Sequence, residues 1–174
     1  MTRARTRRKM LLLMRSVAFT LAIILILSVL CSCKESKSAR KYCEIEIVLP
    51  ESFEDYQEDK VFDAAYTDGE LIVGIQRLSF DAGLEDGVPA TLTPKSFAGY
   101  YLKRTETKAE ILEHGYVPYA IFTMETGLGA YDYLLSFYRT DYAYFIITFI
   151  AVSPISDYRY EEIFGYIDTV VYRT

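Results

Sequence analysis

Tyr142-Ala143-Tyr144-Phe145-Ile146-Ile147-Thr148-Phe149-Ile150-Ala151-Val152 is the stretch on which the fold turns. From Phe145 to Ala151 it is apolar on both faces apart from Thr148. A strand apolar on both sides must be covered on both sides, so this one belongs in the middle of a sheet. Ser153-Pro154 ends it, and Arg139-Thr140-Asp141 joins it to a second β-rich run, Tyr131 to Tyr138. The two runs make the longest antiparallel pair in the chain.

Working outward, Asp157 to about Tyr166 carries Tyr160, Ile163, Phe164 and Ile167 at helical spacing, one inward stripe, and Thr169 to Tyr172 closes the chain as a short strand. Upstream, Glu110–Leu112 and Tyr116–Glu125 read as strands separated at His114-Gly115, the second broken by Pro118. Thr93-Pro94 starts a helix to about Lys103 with Phe97, Ala98 and Tyr101 inward. Thr caps the exposed N–H groups there, and Pro at the first helical position loses no needed donor. Val61–Thr67 and Leu71–Phe80 are joined at Asp68-Gly69, a dipeptide suited to a type I′ turn. Asp81–Pro89 is a loop whose acids lack the calcium-loop pattern. Cys43 to Leu49 alternates as a half-buried strand ended by Pro50, and Glu51–Lys60 is an acidic loop without calcium-ligand spacing.

Strand, hairpin, helix, three or four antiparallel strands, helix, strand is an α+β order. It predicts a mainly antiparallel sheet of about six to seven strands with two helices packed on it. Ile45-Glu46-Ile47-Val48-Leu49-Pro50, the Asp68-Gly69 hairpin, the helix at Thr93, the Tyr131–Val152 hairpin and Phe164 with Val170-Val171-Tyr172 together resemble the PsbP-like fold, which also occurs in bacterial lipoproteins. The resemblance spans residues 42–174 and implies a fold, not an activity.

The N-terminus supplies an address. Arg3, Arg5, Arg7, Arg8, Lys9 and Arg15 precede a run, Ser16–Ser32, without charge, as in a secretory signal. Leu30-Cys31-Ser32-Cys33 resembles the lipobox of bacterial lipoproteins, with small Ser32 before the acceptor Cys33; Cys31 would have Leu30 in that place. The resemblance implies a signal peptide over 1–32 and a Cys33 that carries lipid. Lys34–Lys41 then forms a polar tether, and a single domain follows over 42–174. The protein is thereby held by its lipid at the outer face of the cytoplasmic membrane. The competing reading is an uncleaved helix over Met10–Ser32 with Arg15 snorkelling. Both put the domain outside the cytoplasm.

Of nineteen Lys and Arg residues, six precede Cys33, whereas all twenty-four acids follow it, so thirteen bases face twenty-four acids and the remaining 141 residues carry −11. That charge repels phosphate backbones and argues against a nucleic-acid partner. Cys43 is left as the single thiol. Its alternation with Ile45 and Ile47 points to a small buried hydrophobe, against the alternative of a reactive thiol.

Chemistry is sparse. His114 is the only histidine, no Gly-x-Ser-x-Gly elbow or Gly-rich phosphate loop is present, and Glu161-Glu162, the one adjacent glutamate pair, flanks inward Tyr160 and Ile163 and so solvates a helix. No catalytic residue, metal ligand set or cofactor is assigned. The compositional oddity is sixteen tyrosines without a tryptophan. Tyr has an apolar body and a polar tip suited to interfaces and sugar stacking. Tyr100 and Tyr101 on the first helix, Tyr131 and Tyr133 on one strand face, and Tyr142 and Tyr144 on the partner strand form the candidate binding surface. The alternative is that they complete the core. The leading expectation is a non-catalytic binding or assembly module meeting an unknown protein or small ligand. The alternative is a small-ligand receptor with a pocket between sheet and first helix, where Arg77 or Arg139 orients the ligand. A hydrolytic enzyme ranks third.

Overall fold

The computed structural model describes residues 37–57, 61–80 and 88–172. Cys33, the signal segment 1–32, residues 34–36 of the tether and loop residues 81–87 lie outside the described residues.

Among the described residues, ten strands and two helices follow in the order β1 (Lys37–Tyr42), β2 (Ile45–Pro50), β3 (Glu54–Asp55), β4 (Ala64–Thr67), β5 (Leu71–Ser79), α1 (Pro94–Arg104), β6 (Ile111–His114), β7 (Val117–Thr126), β8 (Gly129–Arg139), β9 (Ala143–Val152), α2 (Asp157–Ile167) and β10 (Val171–Tyr172). Every strand pair is antiparallel: β3-β4-β5-β9-β8-β7-β6 form a seven-stranded sheet and β1-β2-β10 a three-stranded one. The fold is α+β, as the element order predicts. β9, apolar on both faces, sits between β5 and β8 near the centre of the large sheet.

Both of its faces are covered, each by a different layer. Odd-numbered β9 residues Phe145, Ile147 and Phe149 pack with Val73 and Ile75 of β5, with Ile45, Ile47 and Leu49 of β2, and with Ile163 and Ile167 of α2. Even-numbered Tyr144 and Ile146 pack with Leu135 and Phe137 of β8 beneath Phe97, Ala98 and Leu102 of α1. Phe97 stacks on Tyr144 with centroids 4.2 Å apart and meets Phe137 edge-on at 5.8 Å. Full burial of such a side chain stabilises by about 1.5–3 kcal/mol. Thr93 caps α1 by accepting from the Ser96 N–H, with Pro94 next, and Ser156 caps α2 through Arg159 N–H.

Four local expectations are corrected. Lys37–Lys41 is not tether: it is the body of β1, paired residue by residue with β2 from Lys37↔Pro50 to Tyr42↔Ile45. Ser38, Arg40 and Tyr42 are half-buried and the intervening residues exposed, so a polar segment is held as an edge strand by backbone pairing. Consequently Cys43 is neither in a strand nor buried. With Glu44 it makes the two-residue loop of the β1–β2 hairpin, exposed and at φ 50°. The β4–β5 turn is displaced by one residue from the type I′ reading. Asp68 N–H donates to Leu71 O, so Gly69-Glu70 are the central pair; only Gly69 has positive φ, and the Asp68 carboxylate accepts from both Glu70 and Leu71 N–H. Pro118 does not break β7. It lies beyond the start of the β8 pairing at Tyr119↔Ser136, next to the two-residue loop Gly115-Tyr116, where its missing N–H faces no neighbour strand.

Candidate binding site

The face of the large sheet beneath α1 carries the side chains of even-numbered β5, β7 and β9 residues and odd-numbered β8 residues, arranged in cross-strand rows. Leu78, Tyr144 and Arg139 form one row, and Gln76, Ile146 and Phe137 the next. Then come Gly74, Thr148, Leu135 and Ala120, followed by Ile72, Ile150, Tyr133 and Phe122, and finally Val152, Tyr131 and Met124. Eleven residues make α1 about 16 Å long. It covers the first rows and leaves the last two: Ile72, Ile150, Tyr133, Phe122 and Tyr131 are only half-buried, and Met124 and Val152 are exposed.

This boundary sorts the six tyrosines. Tyr144 is 0% exposed, and its hydroxyl donates to the Pro89 and Leu92 carbonyls, so it belongs to the core. Tyr142 is 65% exposed and sits in the β8–β9 turn, at the far end of the sheet. Tyr131 and Tyr133 remain on the uncovered half-face, and the Tyr133 and Phe122 rings are parallel within 3° at 5.2 Å. Tyr101 reaches this region from α1, whereas Tyr100 lines the cleft between α1 and β5.

Two clefts open beside α1. A larger one of about 510 Å³ runs between β5 and the C-terminal half of α1, lined by Arg77, Ser79, Tyr100 and Arg104 among others. A smaller one of about 270 Å³ lies over the sheet, between Phe62 on one side and Tyr133 and Phe122 on the other, above Thr148 and Leu135. Gln76, Tyr101 and Thr105 line both. The Tyr101 hydroxyl donates to Gln76 Oε1 at 3.4 Å, so these two side chains form the sill between them. Burial raises the Tyr101 pKa, so the group is a neutral hydroxyl at physiological pH.

The two arginines part company. Arg77 reaches the larger cleft, but its guanidinium is committed: Nε and Nη2 donate to the Glu44 carboxylate at 3.3 and 3.4 Å, and Nη1 donates to Ser79 Oγ. The Glu44 hydrogen bond is the main cause that raises the Arg77 pKa. Arg139 lines neither cleft. It lies over the Phe80 ring and donates to Ala90 O, tying down the segment that leads into α1.

No protein-family model matches the chain, and no curated protein does. Solved structures do. A crystal structure of a protein from Bacteroides thetaiotaomicron VPI-5482 aligns at TM-score 0.55 and 12% identity over 81% of this chain; the chain spans 49% of that structure's length. The solution structure of cyanobacterial PsbP (CyanoP) from Synechocystis sp. PCC 6803 aligns at TM-score 0.47 and 10% identity, over 82% of this chain and 95% of that one. At such identities the likeness speaks to fold alone.

His114 is placed structurally. Its Nε2 meets Asp168 Oδ1 at 2.9 Å and its ring stacks on Phe164 at 4.6 Å, joining the β6–β7 turn to the end of α2. No serine, threonine or cysteine among the described residues hydrogen-bonds that ring. Glu162 holds Arg159 and the Tyr166 hydroxyl. No group of three or more His, Cys, Asp or Glu residues among the described residues is arranged to hold a metal ion.

Sequence reasoning missed Phe62, Gln76, Thr105, Thr107 and Thr148 as lining residues. One signal pointed to Phe62: Gly74 interrupts a β-branched run, and a glycine inside a strand marks a close approach.

Proposed function

We propose that the protein is a non-catalytic binding module, held at the outer face of the bacterial cytoplasmic membrane through lipid on Cys33, with the half-face beside α1 as its binding site. The observation that carries the reading is the pair of cross-strand rows that α1 leaves open, bordered by Tyr101, Tyr131 and Tyr133 and continuous with two clefts. Monomeric proteins rarely expose contiguous aromatic and aliphatic side chains without use for them.

Between a protein partner and a small ligand, the clefts favour the small ligand, because the larger, about 510 Å³, falls in the range of ligand pockets, roughly 300–1,000 Å³, and the smaller, about 270 Å³, adjoins it. The anchor follows from Leu30-Cys31-Ser32-Cys33. A strongly acidic domain has no electrostatic reason to stay at an anionic membrane, and two acyl chains supply one. Two experiments test the parts separately. Cys33→Ala is expected to abolish the diacyl mass increment on the membrane-extracted protein; an intact, unacylated signal segment in the native protein would replace the anchor by a transmembrane helix. Capture from intact cells is expected to recover a ligand or partner that Tyr133→Ala loses. Equal recovery by both forms would remove the half-face from the function.

A further inference from the structure

We infer that the two clefts form one groove for a neutral oligosaccharide, with Tyr101 and Gln76 as the sill across its middle. The inference rests on the binding-module reading above and names its ligand class.

The lining chemistry selects the class. In the smaller cleft the walls are rings: Tyr133 on β8 and the parallel Phe122 on β7 form one side, while Phe62 stands across Gly74 on β5. The polar groups between them are all uncharged, the Gln76 amide and the Thr105, Thr107 and Thr148 hydroxyls. Among the described residues no acid, lysine, arginine or histidine lines this cleft. An anionic or cationic ligand would therefore meet no counter-charge there, and a charge removed from water without one is disfavoured. The Thr105 and Thr107 hydroxyls bond to each other and to backbone carbonyls, but a purely apolar ligand would still desolvate the Gln76 amide and the Thr148 hydroxyl, at about 1–3 kcal/mol for each group left unpaired. A sugar ring fits both constraints, since its C–H face stacks on an aromatic ring and its hydroxyl edge pairs with amides and hydroxyls.

The larger cleft is more polar: Tyr100, Ser79 and Thr105 line it beside two arginines, Arg77, whose charge Glu44 balances, and Arg104. Since both clefts share Gln76, Tyr101 and Thr105, a ligand of two or three sugar units occupies both by crossing the sill. The long Tyr101–Gln76 bond is the contact that it would exchange.

Resonances of the isotope-labelled domain 37–174, tested for folding by its dispersion, should report binding of cellotriose, maltotriose or chitotriose. At least one is expected to shift the Gln76, Thr105, Thr107 and Thr148 amides together. Its affinity should change less than about twofold between low and high salt, as befits a neutral ligand. Tyr133→Ala should weaken it about tenfold or more, and Gln76→Leu, which keeps the bulk, about fivefold. The inference is overturned if none of the three shifts these amides at millimolar concentration, or if the affinity falls with salt. If the groove amides instead respond to hexanoate or to a galacturonate trimer, the saccharide class falls while the binding site stands.

Discussion

The Phe62 ring lies flat across Gly74, so close that a Cβ on residue 74 would sit 2.5 Å from three ring carbons. The glycine lets an aromatic side chain from the segment before β4 rest directly on the backbone of β5 and form one wall of the smaller cleft.

Gly74→Ala is therefore expected to lever Phe62 off the sheet and cost about 1–3 kcal/mol, read by denaturant unfolding. In a Phe62→Ala background the same change should be near neutral, because the clashing ring is gone and Ala suits a strand better than Gly. Equal costs in both backgrounds would separate the glycine from the ring.

Helix α1 ends in a Schellman motif with the wrong residue for it. Thr107 N–H donates to Leu102 O, Glu106 N–H donates to Lys103 O, and Glu106 takes φ 55°. Glycine is the usual occupant because a Cβ is strained there. Glu106→Gly should raise stability by about 0.5–1 kcal/mol, a rise in Tm of roughly 3 °C. A fall in Tm would contradict the left-handed cap.

Asp132 is buried between β8 and the chain after β9, accepting from Thr123 Oγ1 at 2.6 Å and from Ile155 N–H at 2.9 Å. Burial raises its pKa, and the bonds from Thr123, Ile155 and Ser153 outweigh that, so the net shift is downward from 3.8. A carboxyl with a lowered folded pKa contributes stability that is complete above its unfolded value and lost as pH falls through the folded one. Asp132→Ala should cost about 2–3 kcal/mol at pH 7 by leaving its donors unpaired, and its deficit should shrink below about pH 4. Urea unfolding of both proteins across that range checks it.

Among the described residues the buried Tyr138 hydroxyl makes no well-formed hydrogen bond, and burial pushes its pKa far up. The neighbouring Ser136 hydroxyl opposes that shift but donates to Ile147 O. Tyr138→Phe should consequently be neutral or stabilising by up to about 1 kcal/mol, whereas a loss above 1 kcal/mol by thermal melting would reveal a partner for the hydroxyl.

The elements legible in the sequence were those with strong periodicity or caps. The two-faced apolar run of β9 fixed the centre of the sheet, Thr93-Pro94 fixed the start of α1, and Tyr160, Ile163 and Ile167 oriented α2. Residues 37–42 were not legible because an edge strand with one half-buried face needs little hydrophobicity, and its partner β2 lies across a turn that the alternation of Cys43 with Ile45 concealed. Strand parity puts Tyr131, Tyr133 and Tyr144 on one face of the sheet, whereas Tyr142, read as part of the same strand as Tyr144, lies before β9 in the turn. Which of them stay open depends on where α1 lies along the strands, a tertiary property that parity does not carry. Tyr144 thus proved to be core and Tyr133 surface, although they share one face of the sheet.

The central claim is that the half-face around Tyr133 binds something in the cell. A photoreactive benzophenone side chain at position 124, where Met124 is 45% exposed beside that face, compared with position 158 on α2, where Tyr158 is 75% exposed, tests it most directly. Irradiation of intact cells, followed by intact mass of the purified protein, should give a discrete adduct at position 124 that Tyr133→Ala removes and position 158 lacks. An unmodified protein at position 124, or the same adducts at both positions, would contradict it.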